Sequence, residues 1–301
     1  MSAHKKSGED AVIARLRRIV REPRGARVRA GIGDDCAAVR VGPRGRLLLL
    51  KADAVVEGRH FGKADSPRAV GWKAACRAVS DIAACGGRPA EVLVTCVVRS
   101  GQAGAWLAEL YRGIEKAGRE YGFHVVGGEL ARTRGPAVIN VAMTGEVQEK
   151  HFARRGGGRP GDVLFVTGAL GRSLASGWHL RFRPRHEEAC WLVRRFRVRA
   201  MMDLSDGLAA DLPRLAAASG TGFVLDPVAV PRRAGATLAQ ALGDGEDFEL
   251  LFALAPADAS RIEAAWRMRF PGVRLTRVGE LAARGVRRGL GGARGFDHFA
   301  A

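Results

Sequence analysis

"AMMDLSDGLAADLPRLAAASG", Ala200–Gly220, is the stretch on which the fold class turns. It opens on three apolar residues, passes through the polar turn Asp203–Gly207, and continues with apolar residues at helical spacing up to Gly220. That order predicts a buried strand, a tight turn and an amphipathic helix. The same alternation extends outward in both directions. Downstream, "FELLFALAPADASRIEAAWRMRF" (248–270) reads as a strand and then a helix capped near Pro256 and Asp258. Upstream, "VLFVTGALG" (163–171) reads as a strand and turn.

Further toward the N-terminus, "RLLLLKADAVVEG" (46–58) predicts a buried strand ending at Asp53. "SPRAVGWKAACRAVSDIAACGG" (66–87) predicts a helix with Ser66 as N-cap, Pro67 at the first helical position and a Gly-Gly stop. "AEVLVTCVV" (90–98) is a strand, and "GAWLAELYRGIEKAGREYG" (104–122) is a helix closed by Gly122. "HVVGGEL" (124–130) reads as strand and loop, "PAVINVAMTGEV" (136–147) as a strand, and "DAVIARLRRIV" (10–20) as a short amphipathic helix. Between the two alternating halves lies "QEKHFARRGGGRPGD" (148–162), rich in glycine and charge, which suits a hinge. The expectation is an α/β (α+β) chain in two domains, 1–148 and 149–301.

The chain has 301 residues, 47% of them hydrophobic, enough for two ordinary cores. No apolar run is long enough for a membrane span, and the first ten residues carry no apolar signal core. Five cysteines without C-x-x-C spacing suggest reduced thiols in a cytoplasm. The net charge of +18 raises the question of nucleic acid. However, the arginines are spread along the whole chain and only two tyrosines are present, so no aromatic–basic platform forms and no nucleic-acid partner is expected. There is no Walker loop, no protein-kinase catalytic loop and no Gly-x-Ser-x-Gly elbow. "GGGRPG" (156–161) precedes a strand, not a helix, which argues against a dinucleotide site.

What recurs is a carboxylate beside glycine: Asp34 and Asp35 in "GIGDD", Asp53 in "KADAVVEG", Asp81 in "VSDIAACGG", Glu129 in "GGEL", Asp203 and Asp206 in "MDLSDG", and Asp244, Glu246 and Asp247 in "GDGED". Each alone suits a cap or a turn. As a set they offer hard oxygen ligands, the chemistry of Mg²⁺ with substrate phosphates.

These strings, in order from "GIGDDCAAV" through "DAVVEGRHF", "GGELARTRG", "MDLSDGLAADL" and "GDGEDFELLF" to "GFDHFA", resemble the thiamine-monophosphate kinases of the aminoimidazole-ribonucleotide synthetase-like superfamily. The resemblance spans about Asp10 to Phe299. It implies a two-domain fold whose N-terminal sheets pair in a homodimer, with ATP as co-substrate, Mg²⁺ as cofactor and thiamine monophosphate as phosphoryl acceptor. It implies Asp35, Asp53, Asp81, Glu129, Asp203 and Asp206 as metal ligands, Asp81 and Asp206 being central to catalysis. Gly128 at a nucleotide loop, Arg155 and Ser205 fall to ATP, and His60, Glu246 and Phe296 to the acceptor. Two alternatives stay open: a superfamily paralogue acting on another phosphorylated small molecule, and a catalytically weak nucleotide-binding protein. Departures from the pattern are Lys51-Ala52-Asp53 for Ser-Thr-Asp, Glu129 for Asp, "ARTRG" for Thr-Thr-Arg-Gly, "GDGED" for the "GGED" loop, and a shortened stretch between "GALGRS" and "MMDLSDG". An ammonium at 51 would take a cation's place or pair with Asp35 or Asp81.

Overall fold

A computed structural model describes residues 8–20, 27–42 and 45–297. The terminal stretches "MSAHKKS" and "HFAA", on which the reading of a missing signal core and the last residues of the resemblance fall, lie outside the described residues.

The first half begins with helix α1 (Glu9–Ile19). Strands β1 (Val28–Ala30), β2 (Ala37–Val41) and β3 (Arg46–Val56) follow, then helix α2 (Pro67–Ala84), strand β4 (Arg88–Val98), helix α3 (Ala105–Tyr121), and strands β5 (His124–Arg132) and β6 (Val138–Gln148). The strands form one sheet in the order β1-β2-β3-β6-β4-β5, antiparallel except for the parallel β4–β5 pair. The second half contains β7 (Val163–Thr167), α4 (His186–Arg195), β8 (Ala200–Asp203), α5 (Leu208–Ala218), β9 (Gly222–Leu225), α6 (Leu238–Gly243), β10 (Leu250–Leu254), α7 (Pro256–Arg269), β11 (Leu275–Ala282) and the two-residue β12 (Arg287–Arg288). Its sheet runs β12-β9-β11-β7-β10-β8. No helix among the described residues is long and apolar enough to cross a membrane.

The helices at 67–84, 105–121 and 208–218 and the strands at 88–98, 138–148, 163–167, 200–203 and 250–254 fall where the sequence pattern placed them. Two readings need correction. β3 does not stop at Asp53 but continues to Val56, because it pairs with β6 along its whole length, from Arg46 opposite Gln148 to Val56 opposite Val138. Gly127 and Gly128 are not in a loop either; both lie within the continuous strand β5. Glycine is needed there for space. A Cβ at Gly128 would sit 1.9 Å from the Val94 carbonyl oxygen of the paired strand.

α2 is the hub. It lies between the two sheets, and fourteen of its eighteen residues are buried. It crosses α3 at backbone contact. A Cβ at Gly71 would meet the Leu110 carbonyl oxygen at 2.0 Å, and one at Gly113 would meet that of Arg68 at 2.0 Å. Its last turn, through Ala83 and Ala84, packs into the second half's core with Phe165, Phe252 and Trp266. Trp72 Nε1 donates to the Phe182 carbonyl at 2.9 Å, a further tie between the halves.

Candidate active site

A buried polar face on an otherwise apolar helix has to be satisfied by polar partners. On α2, Lys73, Arg77 and Asp81 recur every four residues, with Ser80 beside them, so they share one face. Strand β3 presents Lys51 and Asp53, two residues apart and therefore on one side of the sheet. The end of β8 supplies Asp203, and the turn into α5 supplies Ser205 and Asp206. These elements surround a cavity of about 400 Å³, lined by Lys51, Asp53, His60, Arg77, Asp81, Asp203, Ser205 and Asp206, with Glu9 and Phe248 at its edge. A larger groove of about 910 Å³, lined by arginines around α4, lies elsewhere and holds none of these groups.

Asp35, Asp81 and Asp203 converge: each offers an oxygen lying within 4.8 Å of the others, and all three are buried. Each also has a protein donor. Arg155 Nη2 is 2.5 Å from Asp35 Oδ1, Lys51 Nζ is 2.9 Å from Asp81 Oδ2, and Ser80 Oγ donates to Asp203 Oδ2 at 2.6 Å. Asp35 Oδ2 is buried and accepts no hydrogen bond among the described residues. A buried carboxylate oxygen without a donor is costly. Three convergent carboxylates with one orphaned oxygen fit a hard divalent cation such as Mg²⁺.

The protonation pattern agrees. Burial pushes the Asp203 carboxyl up to about 7, with the Asp35 charge adding to it. Burial also pushes Asp81 well above the usual carboxylate range; Lys51 opposes this, while Asp203, Asp53 and Asp35 reinforce it. Burial works against the Lys51 ammonium, but Asp81 and Asp53 outweigh it and hold its pKa above the usual lysine range. For Asp53, burial acts upward, yet Arg77 and Lys51 keep its pKa below the ordinary value.

Around this cluster each remaining candidate has its own partners. Asp53 accepts both Arg77 Nε and Nη2 at 3.1 Å. Asp206 is bound by Arg214, which also reaches Asp211 and Asp10. Glu246 has a left-handed backbone, φ 54°, and its carboxylate is held by Lys73 at 2.5 Å and Arg77 at 3.1 Å. His60 is buried; its Nδ1 accepts the Val56 amide, and its carbonyl takes a hydrogen bond from Lys73. Phe296 returns to the site, its amide donating to the Asp206 carbonyl at 2.8 Å and its ring lying 4.6 Å from the Arg59 guanidinium. Asp34 has a different task. Its Oδ1 accepts the Asp35 and Arg155 amides and pins the acidic turn to the second half.

Gly128 and Glu129 stand apart from the convergent carboxylates, on the exposed edge strand β5. The sequence reading missed Lys73, Arg77, Asp211 and Arg214. Helical spacing was the available signal, since 73 and 77 precede Asp81 by two turns and one, and Arg214 follows Asp211 by three residues.

Two family models match the chain, AIR synthase related protein N-terminal domain over residues 33–147 and AIR synthase related protein C-terminal domain over 159–289. The thiamine-monophosphate kinase of Rhodopirellula baltica is 37% identical over 276 residues, covering 85% of this chain and 84% of the relative. That of Salmonella typhimurium is 31% identical, covering 97% and 98%. The chain belongs to the thiamine-monophosphate kinase family. It is thus an enzyme, a kinase built on the AIR synthase related fold. A solved structure of AaThiL complexed with AMPPCP and TMP superimposes on it with a TM-score of 0.82 at 28% identity, covering 99% of both chains. Two of the departures from the motif pattern, Lys51 and Glu129, now have a place in the structure. The structure sets Lys51 against Asp81 and leaves Glu129 on the sheet edge.

Proposed function

We propose that the chain transfers the γ-phosphoryl group of ATP directly to the phosphate of thiamine monophosphate, giving thiamine diphosphate and ADP in a Mg²⁺-dependent, in-line reaction. The observation that carries this reading is the buried triad Asp35–Asp81–Asp203 with the orphaned Asp35 Oδ2, in a chain that matches thiamine-monophosphate kinases over most of its length.

The acceptor is an anionic phosphate oxygen, so no strong general base is required. The task is to bring two polyanions together and hold them in line. Asp35, Asp81 and Asp203 would hold Mg²⁺, with Asp53 and Asp206 as the outer members of the ligand set. Mg²⁺, when bound, neutralises phosphate charge and polarises the transferring group. Arg155 reaches the nucleotide phosphates from its anchor on Asp35, and Ser205 lines the cavity beside them. His60, Glu246 and Phe296 shape the acceptor side, Phe296 offering a face for a flat heteroaromatic ring. The positive-φ turn at Glu246 is fixed by Lys73 and Arg77, which orients the acceptor before reaction.

We place Gly128 and Glu129 at a subunit boundary. Leu50, Leu93 and Val126 leave an exposed apolar surface on one face of the first sheet, which supports a homodimer formed through that sheet. Five buried, unpaired cysteines suit a reducing cytoplasm.

The test is to incubate the purified chain with ATP, Mg²⁺ and thiamine monophosphate. Thiamine diphosphate should form with one ADP per product. ATP binding without product at high enzyme concentration would overturn the kinase reading. Asp206→Asn should reduce turnover by about 10³-fold or more, the loss expected for removing a transition-state contact worth about 4 kcal/mol, with the thermal midpoint within a few degrees of the parent.

A further inference from the structure

Lys51 occupies an unusual place. It shares a strand face with Asp53, and its ammonium lies 2.9 Å from Asp81 Oδ2, inside the group of side chains that would hold divalent cations. The ammonium is largely enclosed, with 22% of the side chain exposed. Arg155 engages Asp35 Oδ1, which leaves Asp35 Oδ2 without a donor among the described residues, and Asp203 takes a neutral donor, the Ser80 hydroxyl on Oδ2. With all three carboxylates ionised, these two cations leave one net negative charge in the cluster. A divalent ion beside Asp35 and Asp203 more than balances it. A second one beside Asp81 would have to displace a tethered ammonium already in hydrogen-bond contact, and would meet like charge there.

We propose that the Lys51 ammonium is a built-in cation of the phosphate site, filling the Asp81 side so that the chain binds one divalent ion fewer than it would with an uncharged residue at 51. The inference rests on the Mg²⁺–nucleotide reading of this site. Lys51 then acts as a positioning residue. It fixes Asp81, neutralises part of the carboxylate charge without an exchangeable ion, and presents an ammonium where the phosphates of the two substrates meet. A tethered cation cannot be diluted away, so part of the charge neutralisation is independent of free Mg²⁺.

The experiment counts bound Mn²⁺ by the loss of the free-ion electron paramagnetic resonance signal, with the full chain saturated by AMPPCP. Lys51→Ser should bind one more Mn²⁺ per chain than the parent, and Lys51→Arg should keep the parent count. Equal counts in the parent and a folded Lys51→Ser, with both binding Mn²⁺ and AMPPCP, would overturn the proposal and leave the kinase reading standing. If neither Mn²⁺ nor AMPPCP binds to the parent, both readings fall. Should Lys51→Ser not fold, Lys51→Gln carries the same count.

Discussion

The two sheets bury their faces differently. In the second, β7, β8 and β10 are buried along their whole length. One face, with Leu164, Val166, Met202 and Leu251, packs against α5 and α6; the other, with Phe165, Met201, Leu250 and Phe252, packs against α4, α7 and the end of α2. In the first sheet only one face is covered, by α2 and α3. The other, among the described residues, shows Leu50 at 42%, Leu93 at 50% and Val126 at 61% exposure. A sheet enclosed on both sides is complete within one chain. A sheet with a bare apolar face calls for a second surface, and β5 as the bare edge strand points to where that surface lies.

The sharpest way to break this comparison is in the enclosed sheet. Phe252 is fully buried and stacks on Phe165 with ring centroids 5.5 Å apart. Phe252→Ala should cost about 3–5 kcal/mol of stability, read from urea unfolding midpoints. A loss below about 1 kcal/mol would show that this core repacks freely.

Enclosure in the second half also has a pH signature. Burial raises the Asp247 carboxyl to about 6, although Ser173 and Arg233 oppose the shift. The folded chain therefore holds a proton between about pH 4 and 6 that the unfolded chain has released. Stability from this group is greatest below the unfolded pKa and declines as pH rises through 6, by about 3 kcal/mol in total. The stabilities of the parent and of Asp247→Asn, measured by unfolding across this range, should diverge by that amount from its acid end to its alkaline end. Parallel curves would remove Asp247 from the explanation.

The smallest effect on the fold should come from the bare face. Leu93→Ser with Val126→Ser should change unfolding by under about 1 kcal/mol, as expected for exposed sites, yet shift the sedimentation coefficient of the proposed homodimer to that of a monomer. A double variant that sediments like the parent would remove this face as the contact of the proposed homodimer.

Much of this arrangement is legible along the chain because it depends on local spacing. Pro67 and Gly122 mark helix ends, and the turn in "MDLSDG" marks a strand-to-helix switch. The carboxylates stood out because they sit beside or near glycine at element ends. What spacing did not show is what pairs with them. Arg155 meets Asp35 across 120 positions, and Lys73 meets Glu246 across 173. Such pairs depend on how two sheets are laid around one helix, which no window of sequence contains. Gly127-Gly128 misled for a related reason: a glycine pair resembles a loop unless the neighbouring strand's carbonyl is known to lie where a side chain would go.

That shared helix sets a limit on how the protein can vary. By chain order α2 belongs to the first half, but its polar face serves Asp203 and Glu246 of the second, and Ala83 and Ala84 complete the second half's core. A chimaera joining residues 1–148 of this chain to the remainder of a distant relative would carry Lys73, Arg77 and Ser80 into a foreign set of partners. Substitutions on this helix face therefore disturb both halves, and a matched exchange has to change the opposite half with them.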